Sequence, residues 1–409
     1  MELFHLFSIL IVLSALFAYI NFKFLKLPNA IGLMLVSLLF SVAIILTSNF
    51  VPNFKIAIIG ILKGLDFSEL LLEVMLSFML FAGAIHIKYK DLKNEKLAIL
   101  LFSTISVIIS TILIGLITYY ILNVFGIQVA LIHAFLFGAL ISPTDPIAVL
   151  SILKSAGIPK SLETKIAGES LFNDGVAVVI FITILQLAKP SIELSIGDIV
   201  LLFGQEAIGG IVLGITIGYF GYKLISSIDN YKVEVLITLA IVMGGYTLAH
   251  YTHVSGPLAM VAAGLITGNR SKEYGMSDLT AQYVDKFWEL LDDILNAVLF
   301  VLIGLELLLV ETSNLVVFIS FILIFFILII RYISVFIPSM LIRLKEEVNQ
   351  KTLVILTWGG LRGGISIALA LSIQLENHRD IWVTITYVIV CFSILIQGLT
   401  IGKLATKLN

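Results

Sequence analysis

The chain has 409 residues, 59% hydrophobic and 13% charged, with a mean hydropathy of +1.11. No water-soluble fold can hide that share of apolar side chains, so the composition excludes a soluble enzyme and implies a polytopic membrane protein. The net charge of −2 says little by itself, and the single cysteine, Cys391, excludes an intramolecular disulfide and argues against thiolate metal sites.

Apolar runs predict an all-α protein of about thirteen transmembrane helices, beginning near Phe4, Pro28, Ser68, Leu97, Val129, Leu162, Ile199, Val233, Gly256, Asp285, Leu315, Leu353 and Trp382. Continuous apolar runs favour helices over a β-barrel, whose strands would alternate. The first run lacks a small-residue cleavage site and reads as a retained span. Lys and Arg alternate sharply between connections. Nineteen, from Lys23 and Lys26 through Lys88, Lys154, Lys223, Arg270, Arg343 and Lys345 to Lys403 and Lys407, fall on one side; Lys55, Lys63, Lys189 and Arg379 fall on the other. Positive residues favour the cytoplasmic side, which predicts an outside N-terminus and a cytoplasmic C-terminus. The two remaining basic residues, Arg331 and Arg362, fall within spans, where charges are costly and usually paired or functional.

No connection is long enough for a soluble domain, and the tail ends close to the membrane, so no built-in regulatory domain is expected. The chain has neither a GxxxxGK[ST] phosphate loop nor a GxGxxG fingerprint. ATP-driven transport by this chain alone is therefore not expected, and no nucleotide, nucleic acid or cofactor is anticipated.

Two spans look interrupted. The fifth carries "SPTDP", in which Pro143 and Pro146 flank Thr144 and Asp145; the twelfth carries "WGGLRGG", in which glycines bracket Leu361 and Arg362. Non-helical backbone inside a membrane is tolerated only where protein buries it or a wet cavity meets it. The breaks occupy matching places in two halves, and "LLEVMLSFMLFAGAIHI" from Leu71 echoes "LLDDILNAVLFVLIGLEL" from Leu290. This predicts inverted six-helix repeats (about 1–188 and 233–409) around a linking helix (about 199–222) within one transporter domain, although Pro and Gly in membrane helices also serve close packing.

Depth adds to this. Asp145 lies 14 residues before the inner turn at Pro159 and Asp174 lies 15 after it; Arg331 lies 16 before Glu347 and Arg362 lies 15 after it. At about 1.5 Å per residue, all four charges sit roughly 20 Å from an inner turn, in one layer. On the sixth helix, steps of about 100° put Glu169, Asn173, Ser170 and Asp174 on one face, toward the break that carries Asp145. Oxygen-only donors suit hard cations. A carboxylate in low dielectric binds a proton more readily than in water, so proton and cation competing for one carboxylate would suffice for exchange. The arginines would offset surplus carboxylate.

"SPTDP", "GESLFNDG" and "GLRGG", in this order and in these spans, resemble the signature segments of the cation:proton antiporter 1 family, in particular prokaryotic Na+/H+ antiporters of the NhaP type, over nearly the whole chain. The resemblance implies the NhaA/NhaP-like antiporter fold with two interrupted crossing helices. It implies a homodimer in the cell membrane, with a core domain (about 97–188 and 315–409) moving like an elevator against a dimerisation domain formed by the remainder. Carried across, Asp174 is the essential ion- and proton-binding carboxylate; Glu169, Ser170 and Thr144 are further Na+ ligands, and Asp145 acts nearby. The Asn173–Asp174 pair implies electroneutral exchange of one Na+ for one H+. A core arginine, here Arg331, is expected to pair with Glu169, and Arg362 to offset helix ends at the crossing.

Other readings remain. Asp145 could cap the second half-helix, and Glu169 could cap or snorkel. Glu73, Asp292, Asp293 and Glu306 read as inner-cavity or interface residues; His86, His133, His250 and His253 read as ordinary polar residues, and Cys391 as packing. Gly210, Gly214 and Gly218 form a close-packing stripe whose partner could lie within or between protomers. An intramembrane aspartyl protease would need Tyr-Asp and Gly-x-Gly-Asp signatures, which are missing. K+/H+ exchange or a passive cation channel stands as the alternative to Na+/H+ exchange.

Overall fold

The computed structural model describes residues 3–47, 58–60, 67–188, 196–310, 313–342, 349–373 and 378–408. Helix α1 (Leu3–Ile20) runs into a π-turn over Asn21–Leu25 that a buried amide closes. Asn21 Nδ2 donates to the Leu27 carbonyl at 2.9 Å, and Asn21 Oδ1 accepts from the Leu27 amide at 3.2 Å. The turn's polar backbone is thus satisfied, and Pro28, with no amide to lose, leads into α2 (Asn29–Thr47).

The chain continues as α3 (Phe67–Ile85), α4 (Lys96–Val124), an interrupted α5 (Leu131–Ile141 and Ile147–Ser155), α6 (Lys160–Leu187) and α7 (Ile196–Ile225). Then come α8 (Tyr231–Tyr251), α9 (Gly256–Ile266), α10 (Asp278–Glu306) and α11 (Asn314–Ile342). An interrupted α12 (Gln350–Trp358 and Gly364–Leu371) and α13 (Arg379–Leu408) complete it. Among the described residues, nine of these helices are long and apolar enough to cross a membrane unaided. The other four are the two interrupted helices, the short α9, and α10 with its charged first turns.

The predicted starts agree with these elements to within a few residues. The largest difference is α10, which begins at Asp278 and not near Asp285, because Ser277 caps it: its Oγ accepts from the Thr280 amide at 3.4 Å. The expected basic residues Lys55, Lys63, Lys189, Arg343 and Lys345, and the turn residue Glu347, lie outside the described residues.

Two packing groups emerge. Helix α9 lies between α7 and α3, while α10 packs on α1, α2 and α8. In the other group, α4 packs on α11 and on the first half of α5, α6 packs on both α4 and α5, and α11 packs on α13. The glycine stripe belongs to the first group. A Cβ at Gly210 would lie 3.2 Å from the Ser255 Cβ, one at Gly218 would lie 3.1 Å from the Ala263 Cα, and one at Gly214 would strike the Ala259 carbonyl. The stripe therefore seats α7 against α9 of the same chain, a backbone approach that larger residues would prevent.

Candidate functional site

The two helix breaks cross each other. Residues Ser142–Pro146 and Gly359–Gly363 leave helical geometry, and the Asp145 amide donates to the Leu361 carbonyl at 2.8 Å, an isolated antiparallel bridge between them. A helix that ends inside the protein leaves its last carbonyls without partners. Arg362 meets them: its Nη1 donates to the Ser142 carbonyl at 2.8 Å and to the Pro143 carbonyl at 3.0 Å. A cation at a helix C-terminus also opposes the negative end of the helix dipole. On the other side, the Arg362 amide donates to Ser393 Oγ at 2.8 Å, and Gln397 Nε2 donates to the Trp358 carbonyl at 3.1 Å. Arg362 is thus buried, with its Nη1 engaged by two backbone oxygens from the opposite repeat.

Helix α6 supplies four buried polar groups: Glu169, Ser170, Asn173 and Asp174. They divide among three surroundings. Asn173 Nδ2 donates to Thr144 Oγ1 at 2.8 Å, Asn173 Oδ1 accepts from the Thr144 amide at 3.4 Å, and Ser170 Oγ lies 3.2 Å from Thr144 Oγ1. This cluster ties the α5 break to α6. Glu169 Oε1 accepts from Arg331 Nη2 at 2.6 Å, and both side chains are almost fully buried, at 2% and 4% exposure. Arg331 also reaches the Leu356 carbonyl at 3.4 Å, and Gly360 admits it: a Cβ there would lie 2.7 Å from Arg331 Nε.

Asp174 has a different setting. With Asp145, Pro143 and Gly363 it lines a cavity of about 330 Å³ whose lining extends to His86, Asp292 and Lys154. The Lys154 side chain is 58% exposed, so the cavity leads from the crossing to solvent on the lysine-rich side. The expected residues therefore divide. Asp174 and Asp145 share the cavity; Thr144, Ser170 and Asn173 form the cluster beside it; Glu169 turns to Arg331; Arg362 holds the α5 break. Glu169 does not line the cavity because five residues along a helix turn the side chain by roughly 140°, enough to face a different neighbour.

Of the remaining polar residues, Asp292 lines the cavity, Asp293 lines a second cavity of about 310 Å³ among α1, α2 and α10, Glu306 is buried, and Glu73 is exposed. His86 Nδ1 lies 3.4 Å from Asp285 Oδ1, and Lys272 pairs with the same carboxylate. Asp292, read from the sequence with Glu73, Asp293 and Glu306 as an inner-cavity or interface residue, lies in the cavity lining.

Residues 12–407 match the transmembrane sodium/hydrogen exchanger family. The chain belongs to that family. The Na+/H+ antiporter NhaP of Pseudomonas aeruginosa is 48% identical over 97% of this chain and 95% of its own length. The Na+/H+ antiporter NhaH of Halobacillus dabanensis is 34% identical over 95% and 93%. The structure of the sodium proton antiporter MjNhaP1 from Methanocaldococcus jannaschii at pH 8 matches with a TM-score of 0.79 at 22% identity, covering 100% of this chain and 99% of that one. At that identity the match establishes the shared fold. The resemblance carried by the three motifs is borne out, and the exchanger-family chain is an integral membrane transporter built as an all-helical antiporter fold.

Proposed function

We propose that this exchanger carries Na+ against H+, one for one, by competition for the Asp174 carboxylate. The observation that carries the reading is the shared cavity: Asp174 and Asp145 meet it at the crossing, while the neighbouring carboxylate, Glu169, is engaged by Arg331. A buried carboxylate open to one aqueous side can hold a proton or a cation but is poorly stable bare, so neither leaves until the other replaces it. Thr144 and Ser170 supply hydroxyl oxygens beside Asp174, Asn173 holds them in register, and Asp145 adds negative potential. Glu169 acts through Arg331 as an anchor of α6, and Arg362 neutralises the α5 break. The names of the relatives support Na+ as the cation.

The same reading takes α4–α6 and α11–α13 as a core that moves against a scaffold of α1–α3 and α7–α10, in a homodimer with the lysine-rich side in the cytoplasm. The two packing groups support it. The test uses purified protein in liposomes with an acid interior and a pH-sensitive dye. External Na+ or Li+ releases protons in the wild type, K+ does not, and Asp174→Asn abolishes the response. Release by K+ alone would replace Na+ with K+ in this reading. Cation flux with no coupled proton movement would make the protein a channel.

A further inference from the structure

The cavity has two walls of different origin. One comes from α5, α6 and α12 and carries Asp145 and Asp174; the other comes from α3 and α10 and is formed largely by Leu76, Met79, Gly83 and Leu299. On that second, mostly apolar wall stands Asp292. Charges lining a cleft with low-dielectric walls focus the field and raise the local concentration of counter-ions. Of the basic groups that line the cavity, Lys154 has an acid of its own, while His86 shares Asp285 with Lys272. Lys154 Nζ lies 2.9 Å from Glu163 Oε1, and His86 faces Asp285. Helix α10 is held by α1, α2 and α8, and so belongs to the packing group opposite to that of Asp174.

We infer that Asp292 is a one-sided loading residue: a carboxylate on the stationary wall that concentrates a monovalent cation ahead of Asp174 and sets the half-saturating concentration on the cavity's face of the membrane only. The inference rests on the exchange reading above. When the core turns Asp174 to the other face, Asp292 stays behind with α10, so its charge does not help loading from there. Asp292 acts on the cation's approach through the field, and its role depends on charge more than on shape.

The test is exchange by the full-length protein in liposomes, with each membrane face measured separately and Na+ as the varied ion. For Asp292→Asn, the half-saturating Na+ on the lysine-rich face rises about three- to tenfold, the value on the opposite face is unchanged, and the maximal rate is kept. Asp292→Glu restores the wild-type value, and the gap between Asp and Asn narrows as an impermeant salt is raised, which a purely structural role would not produce. If the Asn variant does not fold, Met79→Glu on the same wall supplies the reading: the half-saturating Na+ falls on the lysine-rich face alone. Equal changes on both faces, or no change with either charge alteration, overturn the inference. Absence of coupled proton movement in the wild type would instead overturn the exchange reading.

Discussion

Glu169 and Asp174 stand five residues apart on one helix, both carboxylates, both buried, and they meet opposite surroundings. Glu169 ends in a 2.6 Å contact with a buried guanidinium; Asp174 ends in a cavity that leads to solvent. Burial alone does not make a carboxylate exchangeable. A carboxylate whose charge is already balanced by a fixed cation gains little from binding Na+, whereas one facing a wet cavity, with another carboxylate in the same lining, is stabilised by whichever positive species arrives.

Substitutions can break or sharpen this contrast. Asp174→Asn has the largest expected effect: cation-driven proton release in liposomes falls to the protein-free background, while thermal unfolding in detergent is little changed. Next comes the ion pair. Glu169→Gln leaves Arg331 buried without its anion and costs about 3–5 kcal/mol, read as a lowered unfolding temperature in detergent. Replacing both Glu169 and Arg331 by Gln recovers part of that loss. A Glu169→Gln protein as stable as wild type yet inactive would erase the contrast and make Glu169 a ligand.

Smaller effects are expected at the supports. A Cβ at Gly363 would lie 2.6 Å from Asp145 Oδ2, so Gly363→Ala must displace that carboxylate. Overpacking of this kind costs about 1–3 kcal/mol, and the exchange rate drops several-fold; an unchanged rate would show that the position of Asp145 does not matter. Smallest is Asn173→Ala, which removes the bonds to Thr144 and costs about 1 kcal/mol, seen as a modest rise in half-saturating Na+. A larger loss than that of Gly363→Ala would move Asn173 from support to ligand.

Much of this architecture is legible in the sequence because membrane folding is so constrained. Every span must be a helix, so apolar length located thirteen elements, and Pro143, Pro146 and the glycines around Arg362 located both breaks, which the structure places at Ser142–Pro146 and Gly359–Gly363. What escaped is the direction in which side chains point once helices pack. A helical wheel puts Glu169 and Asp174 on one broad face, but it cannot say that α11 takes one edge of that face and the cavity the other. The glycine stripe was visible while its partner α9 was not, for the same reason. The start of α10 is set by the Ser277 cap, which hydropathy does not register at the charged first turns of that helix.

The bonds that join the two breaks bear on how the molecule is made. Arg362 reaches the carbonyls of Ser142 and Pro143 across 220 and 219 positions of sequence. Ribosomes add about 5–20 residues per second, so the first half-helix of α5 is synthesised roughly 10–40 s before its cation exists. Through that interval its end carbonyls lack the partner that they have in the finished fold. Birth order therefore keeps the crossing open until α12 is made, and a chain truncated before α12 would reach the bilayer with its earlier spans but without the crossing.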